Sequence, residues 1–258
     1  MHRQLSFAEA RRRGPRIAVL PDAARVEERL GRLARERGFV PGRVAYSLAE
    51  LGRELIREAQ RAGACPEVAS PFALELALRQ AAREHSPGPY FGIRNHAGYA
   101  RALGDLLAAL TEGLLEPVEL AALDVPERPV ALGRTLIAAR AALDRAALVD
   151  PHQALRLAVE HLERGGPLPS ELAPAAEVEF EGVLDWTPLR LRLATALAAR
   201  LRVRIRLPWS AGRPELTESL DPVLRAIEKL PEPAPELALF DPAEGSPLLP
   251  FLRRLFAP

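Results

Sequence analysis

Short apolar runs alternate with helical patterns at both ends of the chain, and this alternation limits the folds that it can adopt. Residues 16–20 have the pattern of a buried strand, and residues 23–37 that of an amphipathic helix. A second strand pattern over 43–46 precedes a second helical pattern, 47–62. Strands that alternate with helices are typical of parallel sheets, so the sequence predicts an α/β fold.

Local start and stop signals support these boundaries. Asp22 stands where it can cap the first helix, and Gly38 follows the last residue of that helix. Ser47 and Glu50 form a capping box at the start of the second helix. Ser70, followed by proline, predicts the start of a third helix.

The middle of the chain has a different pattern, with helices and almost no strand signal between about residues 70 and 164. Strand patterns return at 177–184, at 201–207 and, more briefly, at 237–240. We therefore expect a discontinuous α/β core, residues 1–65 and 166–258, with an all-helical insertion over 66–165. The helices predicted outside the first core segment are 71–84, 95–112, 129–147, 152–163, 189–199, 214–230 and 247–256.

The turn after the first strand is where nucleotide-binding α/β folds place a glycine-rich phosphate loop. Here the turn, Leu20–Arg25, contains no glycine, no Gly-Lys-Ser/Thr sequence and no hydroxyl for a magnesium ion. Asp22 would repel phosphate, and Lys229, the sole lysine, lies far away in the sequence. The sequence therefore predicts that this chain is not by itself a working ATPase.

Other catalytic patterns are also missing, and we assign no catalytic residue, no metal ligand and no cofactor. Asp185 follows the strand at 177–184 as a single acid, which is a poor metal site and is better explained as a residue that caps or tethers the turn. His152 and His161 are nine residues apart, which is not a metal-ligand spacing on a helix. No serine has the context of a hydrolase nucleophile elbow.

Five residues are candidates for contact with nucleic acid. Arg202, Arg204 and Arg206 lie on one face of a strictly alternating strand, where they could bind phosphates. The alternative is an edge strand protected from aggregation by charge, or a row that pairs with acidic residues on a covering helix. Trp186 and Trp209 follow strand ends and could stack on bases, or they could pack against neighbouring helices.

Composition sets limits on location and partners. The net charge of +1 gives no overall electrostatic argument for nucleic-acid or membrane binding. Cys65 is the only cysteine, which excludes an internal disulfide and fits a reducing cytoplasm. The polar, arginine-rich segment Met1–Gly14 is unlike a secretory signal, and no run of apolar residues is long enough for a membrane span.

One segment resembles a known family. In Glu181-Gly-Val-Leu-Asp-Trp-Thr-Pro-Leu-Arg-Leu191, the residues Gly182, Asp185, Thr187 and Pro188 match a turn found in AddB-type subunits. These are the helicase-like partner subunits of bacterial ATP-dependent helicase–nucleases of the RecB/AddB class. Trp186 takes the aromatic position of that turn, whereas arginine stands where the family often has glutamine. Tyr90-Phe91-Gly92 and the stretch from His96 to Leu107 also look like the family's insertion.

The resemblance implies a degenerate P-loop-NTPase-like sheet, that is, a superfamily 1 helicase domain that has lost its ATP site. The family's nuclease motif and its four-cysteine iron–sulfur cluster do not occur in this sequence. The chain ends where a second motor-like domain would begin, so the resemblance implies a fragment of a longer protein or a short paralogue.

The function expected from these observations is a non-catalytic scaffold in DNA double-strand-break processing. Such a scaffold would guide single-stranded DNA or dock the helicase–nuclease partner subunit. The alternative is a protein–protein interaction module without nucleic-acid contact, which the net charge near zero favours. An enzyme of another type is the third class, and it predicts ATP binding or a metal dependence.

Overall fold

A computed structural model describes residues 14–38, 42–86, 88–123, 127–208, 220–230 and 232–240. It confirms a mixed α/β fold with a five-stranded parallel sheet. The strands are β1 (Arg16–Leu20), β2 (Ala45–Ser47), β3 (Glu67–Val68), β4 (Leu148–Val149), β5 (Glu177–Glu181), β6 (Arg202–Pro208) and β7 (Glu236–Phe240). The helices are α1 (Ala23–Arg37), α2 (Leu48–Arg61), α3 (Pro71–His85), a 3-10 helix (Gly88–Ile93), α4 (Ala97–Glu112), α5 (Pro117–Ala121), α6 (Glu127–Arg145), α7 (Pro151–Glu163), α8 (Pro188–Ala198) and α9 (Asp221–Glu228).

The chain divides by its internal contacts into two compact units. The sheet unit comprises Met1–Gly52, Leu168–Trp186 and Leu193–Pro258, and the helical unit comprises Arg53–Pro167 and Thr187–Arg192. These limits differ by several residues from the boundaries expected from the sequence. That 66–165 is an inserted subdomain stays a prediction.

The five-stranded sheet has the strand order β2-β1-β5-β6-β7, and all four pairings are parallel. Side chains alternate between its two faces, as they must in extended strands. One face is largely apolar, and Ile17, Phe180 and Ile205 on it are completely or almost completely buried. Burial of each such side chain stabilises the fold by roughly 1.5–3 kcal/mol.

On the opposite face of the sheet, an apolar cluster lies over the carboxyl-terminal half of β1 and over β2. There, Val26 and Leu30 of α1 pack on Ala18, Leu20 and Ala45. Towards β5 and β6 the same face becomes a row of charged residues, which is described below.

The predicted caps of three helices are confirmed. The Asp22 carboxylate accepts a hydrogen bond from the backbone N–H of Arg25, and the chain leaves α1 at Gly38 with a positive φ of 81°. In the predicted capping box, the Ser47 N–H donates to the Glu50 carboxylate. The Ser70 hydroxyl accepts from the N–H of Ala73 at the start of α3. Each of these caps depends on residues that are close in sequence, and the tertiary contacts of the fold leave all three in place.

The strand predicted over 177–184 is shorter than expected, because β5 ends at Glu181. Gly182 has a φ of 70°, a left-handed conformation that glycine adopts without a steric penalty. This residue turns the chain out of the sheet, so Val183 and Leu184 do not extend the strand.

The core of the helical unit lies between α3, α4 and α6. Five leucines, four alanines and one tyrosine form its buried cluster: Leu78, Leu103, Leu107, Leu110, Leu136, Ala81, Ala82, Ala100, Ala139 and Tyr99. This packing fits the composition, in which only 5% of residues are aromatic.

The prediction that residues 66–165 are entirely helical is wrong in one detail. Glu67–Val68 and Leu148–Val149 pair as a two-stranded parallel sheet. A two-residue strand is too short to show an alternating pattern, so the sequence carried no periodic signal for it.

Three predicted features lie outside the described residues: Trp209, the helix predicted over 247–256, and the first residues of the helix predicted over 214–230. Within the described ranges, no helix combines the length and the apolar character that a membrane crossing requires.

Gly133 should be required for the contact between α5 and α6. A Cβ atom at this position would lie 2.5 Å from the backbone nitrogen of Ala121, whereas one at Gly98 would meet no atom within 4 Å. We expect Gly133→Ala to lower the free energy of unfolding by about 1–3 kcal/mol, because backbone must move. Gly98→Ala is the control and should leave it nearly unchanged. Chemical denaturation measures both; equal effects would contradict this contact.

Candidate functional site

The strand order of the sheet indicates where a ligand site would lie, at the carboxyl ends of two neighbouring strands. The chain leaves β1 towards β2 on one side and leaves β5 towards β6 on the other. In open parallel sheets, ligands bind beyond the carboxyl ends of the strands at the point where this direction reverses. That point lies between β1 and β5, so the turns after Leu20 and Glu181 form the candidate site.

The turn after β1 is closed by the chain's own residues. Pro21 has no backbone N–H, and the Asp22 Oδ1 atom accepts a hydrogen bond of 2.9 Å from the N–H of Arg25. The carboxylate therefore takes up one of the amides at the start of α1, the end of a helix at which phosphates bind in nucleotide-binding folds. The contact has the geometry of an ordinary helix cap.

A small cleft of about 110 Å³ lies beside this turn, and arginines of α1 form much of its wall. Arg25 pairs with Glu28 at 3.1 Å, and Arg29 pairs with Glu181 of β5 at 2.5 Å. Within the described part of the chain, the side chain of Arg32 makes no ion pair or hydrogen bond, and it is exposed. The cleft is lined by Leu20, Arg25, Glu28, Arg29, Arg32 and Glu181.

Trp186, in the turn after β5, is a packing residue. Only 8% of it is exposed, and its indole N–H donates a 2.7 Å hydrogen bond to the carbonyl of Val183. Its ring also meets Phe180 edge to face, with 5.3 Å between the ring centroids. The buried position favours packing over base stacking, because a base could reach the indole only after the turn had opened.

The remaining residues of this turn have separate roles. Asp185 is exposed. Thr187 and Pro188 begin α8, and the Thr187 hydroxyl accepts from the N–H of Arg190 at 3.4 Å. Among the described residues, no group of three or more His, Cys, Asp or Glu side chains is arranged to hold a metal ion.

The arginines of β6 lie next to a matching row of glutamates on β5. The parallel register aligns Glu177 with Arg202, Glu179 with Arg204 and Glu181 with Arg206. The sequence left two structural explanations open for the arginine row: an edge strand protected by charge, or a row paired with acidic residues of a covering helix. The structure differs from both. Because β6 lies between β5 and β7, it is not an edge strand, and the acidic partners found among the described residues belong to the neighbouring strands.

The ion pairs of this face form a network and not isolated pairs. Glu177 lies 3.2 Å from Arg16 of β1 and 3.6 Å from both Arg202 and Arg204 of β6. Glu236 of β7 pairs with Arg202 at 2.7 Å and with Arg204 at 3.3 Å. We call this set, together with Glu179, Glu181 and Arg206, the charged face.

The β5 glutamates and two of the β6 arginines differ in their access to solvent. The side chains of Glu177 and Glu179 are only 8% and 5% exposed, whereas those of Arg202 and Arg206 are 57% and 39% exposed. These carboxylates therefore lie beneath the guanidinium groups of Arg202 and Arg206, which form the outer layer together with the 48% exposed Glu236, whereas Arg204 is only 22% exposed. The sequence signal for this arrangement was available, because residues 177–181 read Glu-Val-Glu-Phe-Glu with the same alternation as β6.

The pair at the exposed end of the charged face has shifted pKa values. The hydrogen bond from Arg202 lowers the pKa of Glu236, and the same bond raises the pKa of Arg202. Both groups remain charged across the physiological range, so pH does not alter this end of the network near neutrality.

A second cluster of titratable groups lies in the helical unit, around Glu112 at the end of α4. The His152 Nδ1 atom lies 3.1 Å from Glu112 Oε1. The Thr187 hydroxyl donates to Glu112 Oε2, and the Arg190 guanidinium lies 3.5 Å from the same oxygen. The motif residue Thr187, which precedes Pro188, thus contacts Glu112. The sequence analysis did not identify Glu112 as a candidate residue.

The electrostatics of this cluster favour the charged pair. Burial alone would raise the pKa of Glu112, but hydrogen bonds from His152 and Thr187 and the charge of Arg190 lower it overall. The hydrogen bond to Glu112 raises the pKa of His152 despite partial burial of the ring. Glu112 and His152 therefore stabilise each other when both are ionised.

Comparison of this sequence with models of protein families and with curated proteins finds no match. The site must therefore be interpreted from its own geometry. Trp209, the fifth residue proposed for nucleic-acid contact, is outside the residues that the structure describes.

Removal of an arginine from the charged face should cost more stability than removal of a glutamate. Arg204→Met leaves the buried Glu177 carboxylate with fewer cations, and we expect the free energy of unfolding to fall by about 1–3 kcal/mol. Glu177→Gln leaves arginines that water can still reach, so its effect should be smaller. Urea denaturation of the two variants compares them, and a larger loss for Glu177→Gln would contradict the buried position of the carboxylates.

The Glu112–His152 pair should make stability depend on pH in a defined window. The raised pKa of His152 gives stability that is complete below the ordinary value of 6.5 and is lost as pH rises through the folded-state pKa. The lowered pKa of Glu112 gives stability that is present above 4.5 and is lost on acidification. The stability difference between the wild type and His152→Gln should therefore be greatest between these two values.

The size of this effect should be at most about 1 kcal/mol, because 41% of the His152 side chain is exposed and solvent screens the pair. His85→Gln is the control, because His85 is more exposed and lies 3.7 Å from Glu84. Urea denaturation across the pH range measures both variants. If the stability difference between the wild type and His152→Gln did not vary with pH, the role of the Glu112–His152 pair would be contradicted. The same pH profile for His85→Gln would also contradict it.

Proposed function

We propose that this chain is a non-catalytic, helicase-like scaffold of a DNA double-strand-break processing helicase–nuclease, located in the cytoplasm. In this role it guides single-stranded DNA or docks a motor subunit. The observation that carries the proposal is the closed turn after β1. At the position where a motor domain would bind phosphate, Pro21 lacks an amide hydrogen and Asp22 caps α1 with its own carboxylate.

The resemblance of residues 181–191 to AddB-type subunits supplies the family context of the proposal. The parallel sheet and the turn after β5 are consistent with that context. In a degenerate motor domain, the sheet and its surface remain useful as a guide or docking platform after the ATP site is lost.

The outer layer of arginines supports the DNA-guiding part of the proposal. Arg202 and Arg206 lie above buried carboxylates, so their guanidinium groups face solvent more than their partners do. Arg25 and Arg32 add two exposed cations beside the carboxyl end of β1. A phosphate backbone is attracted to such a layer even though the net charge of the whole chain is only +1.

One observation favours the alternative, a protein–protein interaction module without nucleic-acid contact. The β6 arginines already have glutamate partners, so a phosphate that binds them must compete with carboxylates. This competition weakens non-specific binding. For this reason, Arg32, which has no ion-pair partner among the described residues, and Arg25, whose single pair with Glu28 is exposed, are better sites to test than the β6 row.

Binding of labelled oligo-dT, followed by fluorescence anisotropy at increasing salt, separates the two candidates. If the chain guides single-stranded DNA, the logarithm of the binding constant should fall linearly with the logarithm of the salt concentration. Each of Arg25→Gln and Arg32→Gln should remove one phosphate contact and reduce the slope by about 0.7.

Arg83→Gln on α3 is the matched control, because Arg83 is also exposed but lies in the helical unit. It should leave the slope unchanged. If the wild-type chain shows no salt-dependent binding, the DNA-guiding role is contradicted and the docking role remains.

A further inference from the structure

The small cleft beside the turn after β1 is built entirely from the sheet unit. Leu20 is the last residue of β1, Glu181 is the last residue of β5, and the other lining residues belong to α1. The cleft therefore lies where the direction of the strand connections reverses, which is the place where open parallel sheets bind their ligands.

The size of the cleft limits what it can hold. Its volume is about 110 Å³, whereas sites that enclose a drug-sized ligand measure roughly 300–1,000 Å³. Leu20, which is only 6% exposed, is the most buried lining residue, so the end of β1 forms the bottom of the cleft. The cleft is too small to enclose a nucleotide, but it can hold a single phosphate group.

Three arginines of α1 indicate the charge of the ligand. Arg25, Arg29 and Arg32 stand at i, i+4 and i+7, which places them on one face of the helix within about 10 Å along its axis. Each guanidinium group has five N–H donors in a planar fork that matches the oxygens of a phosphate. Three such groups around one cleft favour an oxyanion with several acceptor oxygens.

Two glutamates also line the cleft, but they do not engage all the donors of the arginines. Arg25 donates from Nη1 to Glu28 at 3.1 Å, and Arg29 donates from Nη1 to Glu181 at 2.5 Å. Among the described residues, these are the only side-chain hydrogen bonds of the two arginines, and Arg32 has none. With three arginines against two glutamates, the lining has one positive charge in excess.

The end of a DNA strand fits this cleft better than the interior of a strand. A terminal phosphate monoester carries about −1.5 to −2 charges at pH 7 and has three acceptor oxygens. An internal phosphodiester carries a single negative charge. It must also bring a nucleotide on each side to the cleft, whereas a terminal phosphate enters alone.

We propose that this cleft binds the phosphate monoester at the end of a DNA strand, with Arg25 and Arg32 as its principal ligands. Arg29 keeps its ion pair with Glu181 and contributes its remaining donors. The inference rests on the proposed function, because it names the part of single-stranded DNA that the sheet unit recognises. It adds a contact specific for the strand end to the general attraction of arginines for the backbone.

The probes are oligo-dT molecules of one length that carry a 5′-phosphate, a 3′-phosphate or hydroxyl groups at both ends. An unphosphorylated oligo-dT one nucleotide longer controls for the added charge. Fluorescence anisotropy with the full chain and an internal label measures each affinity at one salt concentration. We expect at least one phosphorylated form to bind about fivefold more tightly than both unphosphorylated ones. The form that does so identifies the strand end that enters the cleft.

Two variants of α1 test the cleft itself. Arg32→Gln should reduce the preference for the phosphorylated form to about twofold or less, because it removes the arginine without a carboxylate partner. Glu28→Gln should increase the preference by about twofold, because it removes a carboxylate from the lining and frees the Arg25 guanidinium. A general loss of structure would not produce such a gain.

Arg35→Gln is the matched control, because Arg35 is also an exposed arginine of α1 but does not line the cleft. It should leave the preference for the phosphorylated form unchanged, even if it weakens all oligonucleotides to the same extent. Thermal unfolding of each variant verifies that the fold is retained.

Equal, salt-dependent binding of all the oligonucleotides would overturn this inference and leave the DNA-guiding role intact. A preference that Arg32→Gln preserves, or that Arg35→Gln removes to the same extent, would place the terminal phosphate elsewhere and would also overturn it. If no oligonucleotide binds, the DNA-guiding role itself is contradicted, and the inference fails with it.

Discussion

On the charged face of the sheet, arginines of neighbouring strands compensate the negative charge of buried glutamate carboxylates, and the strand register depends on this pairing. The side chains of Glu177 and Glu179 are only 8% and 5% exposed, and each lies within ion-pair distance of arginines from neighbouring strands. Burial of a carboxylate without such partners costs several kcal/mol. The parallel register of β5 and β6 is therefore tied to charge pairing on one face and to apolar packing on the other. A shift of one residue would place glutamates in the apolar core.

The ion pairs with glutamates of neighbouring strands change the interpretation of the β6 arginines. In the sequence alone, three arginines on one strand face could bind phosphates or could have a structural role. In the structure they first neutralise the glutamates of β5 and β7, and only their outer sides face solvent. Any contact with a phosphate backbone would be made by a layer that already has a structural role, so affinity should be modest and sensitive to salt.

Local patterns predicted much of the fold. The strand–helix order and the caps at Asp22, Ser47 and Ser70 depend on residues close in sequence, and the structure agrees with them. The strand order, which places β6 inside the sheet, depends on contacts between distant segments that no local pattern encodes. The two-residue strands β3 and β4 are too short for a periodic signal.

The candidate site was predicted less completely. The helix cap at Asp22 followed from residue chemistry, whereas the sequence left both base stacking and packing open for Trp186, and its contacts with Val183 and Phe180 favour packing. Glu112 was missed because its partners His152, Thr187 and Arg190 are at least forty residues away in sequence. Pairing of the 177–181 glutamates with β6 was missed although the matching alternation was present.

We propose that the turn after β1 does not bind a nucleotide phosphate, so that this chain is a scaffold and not a motor. Calorimetric titration of the full chain with magnesium and ATP should then show no saturable heat of binding. Saturable, tight binding of magnesium–ATP would contradict it, because the turn with Pro21 and the Asp22 cap would then have to open to receive phosphate.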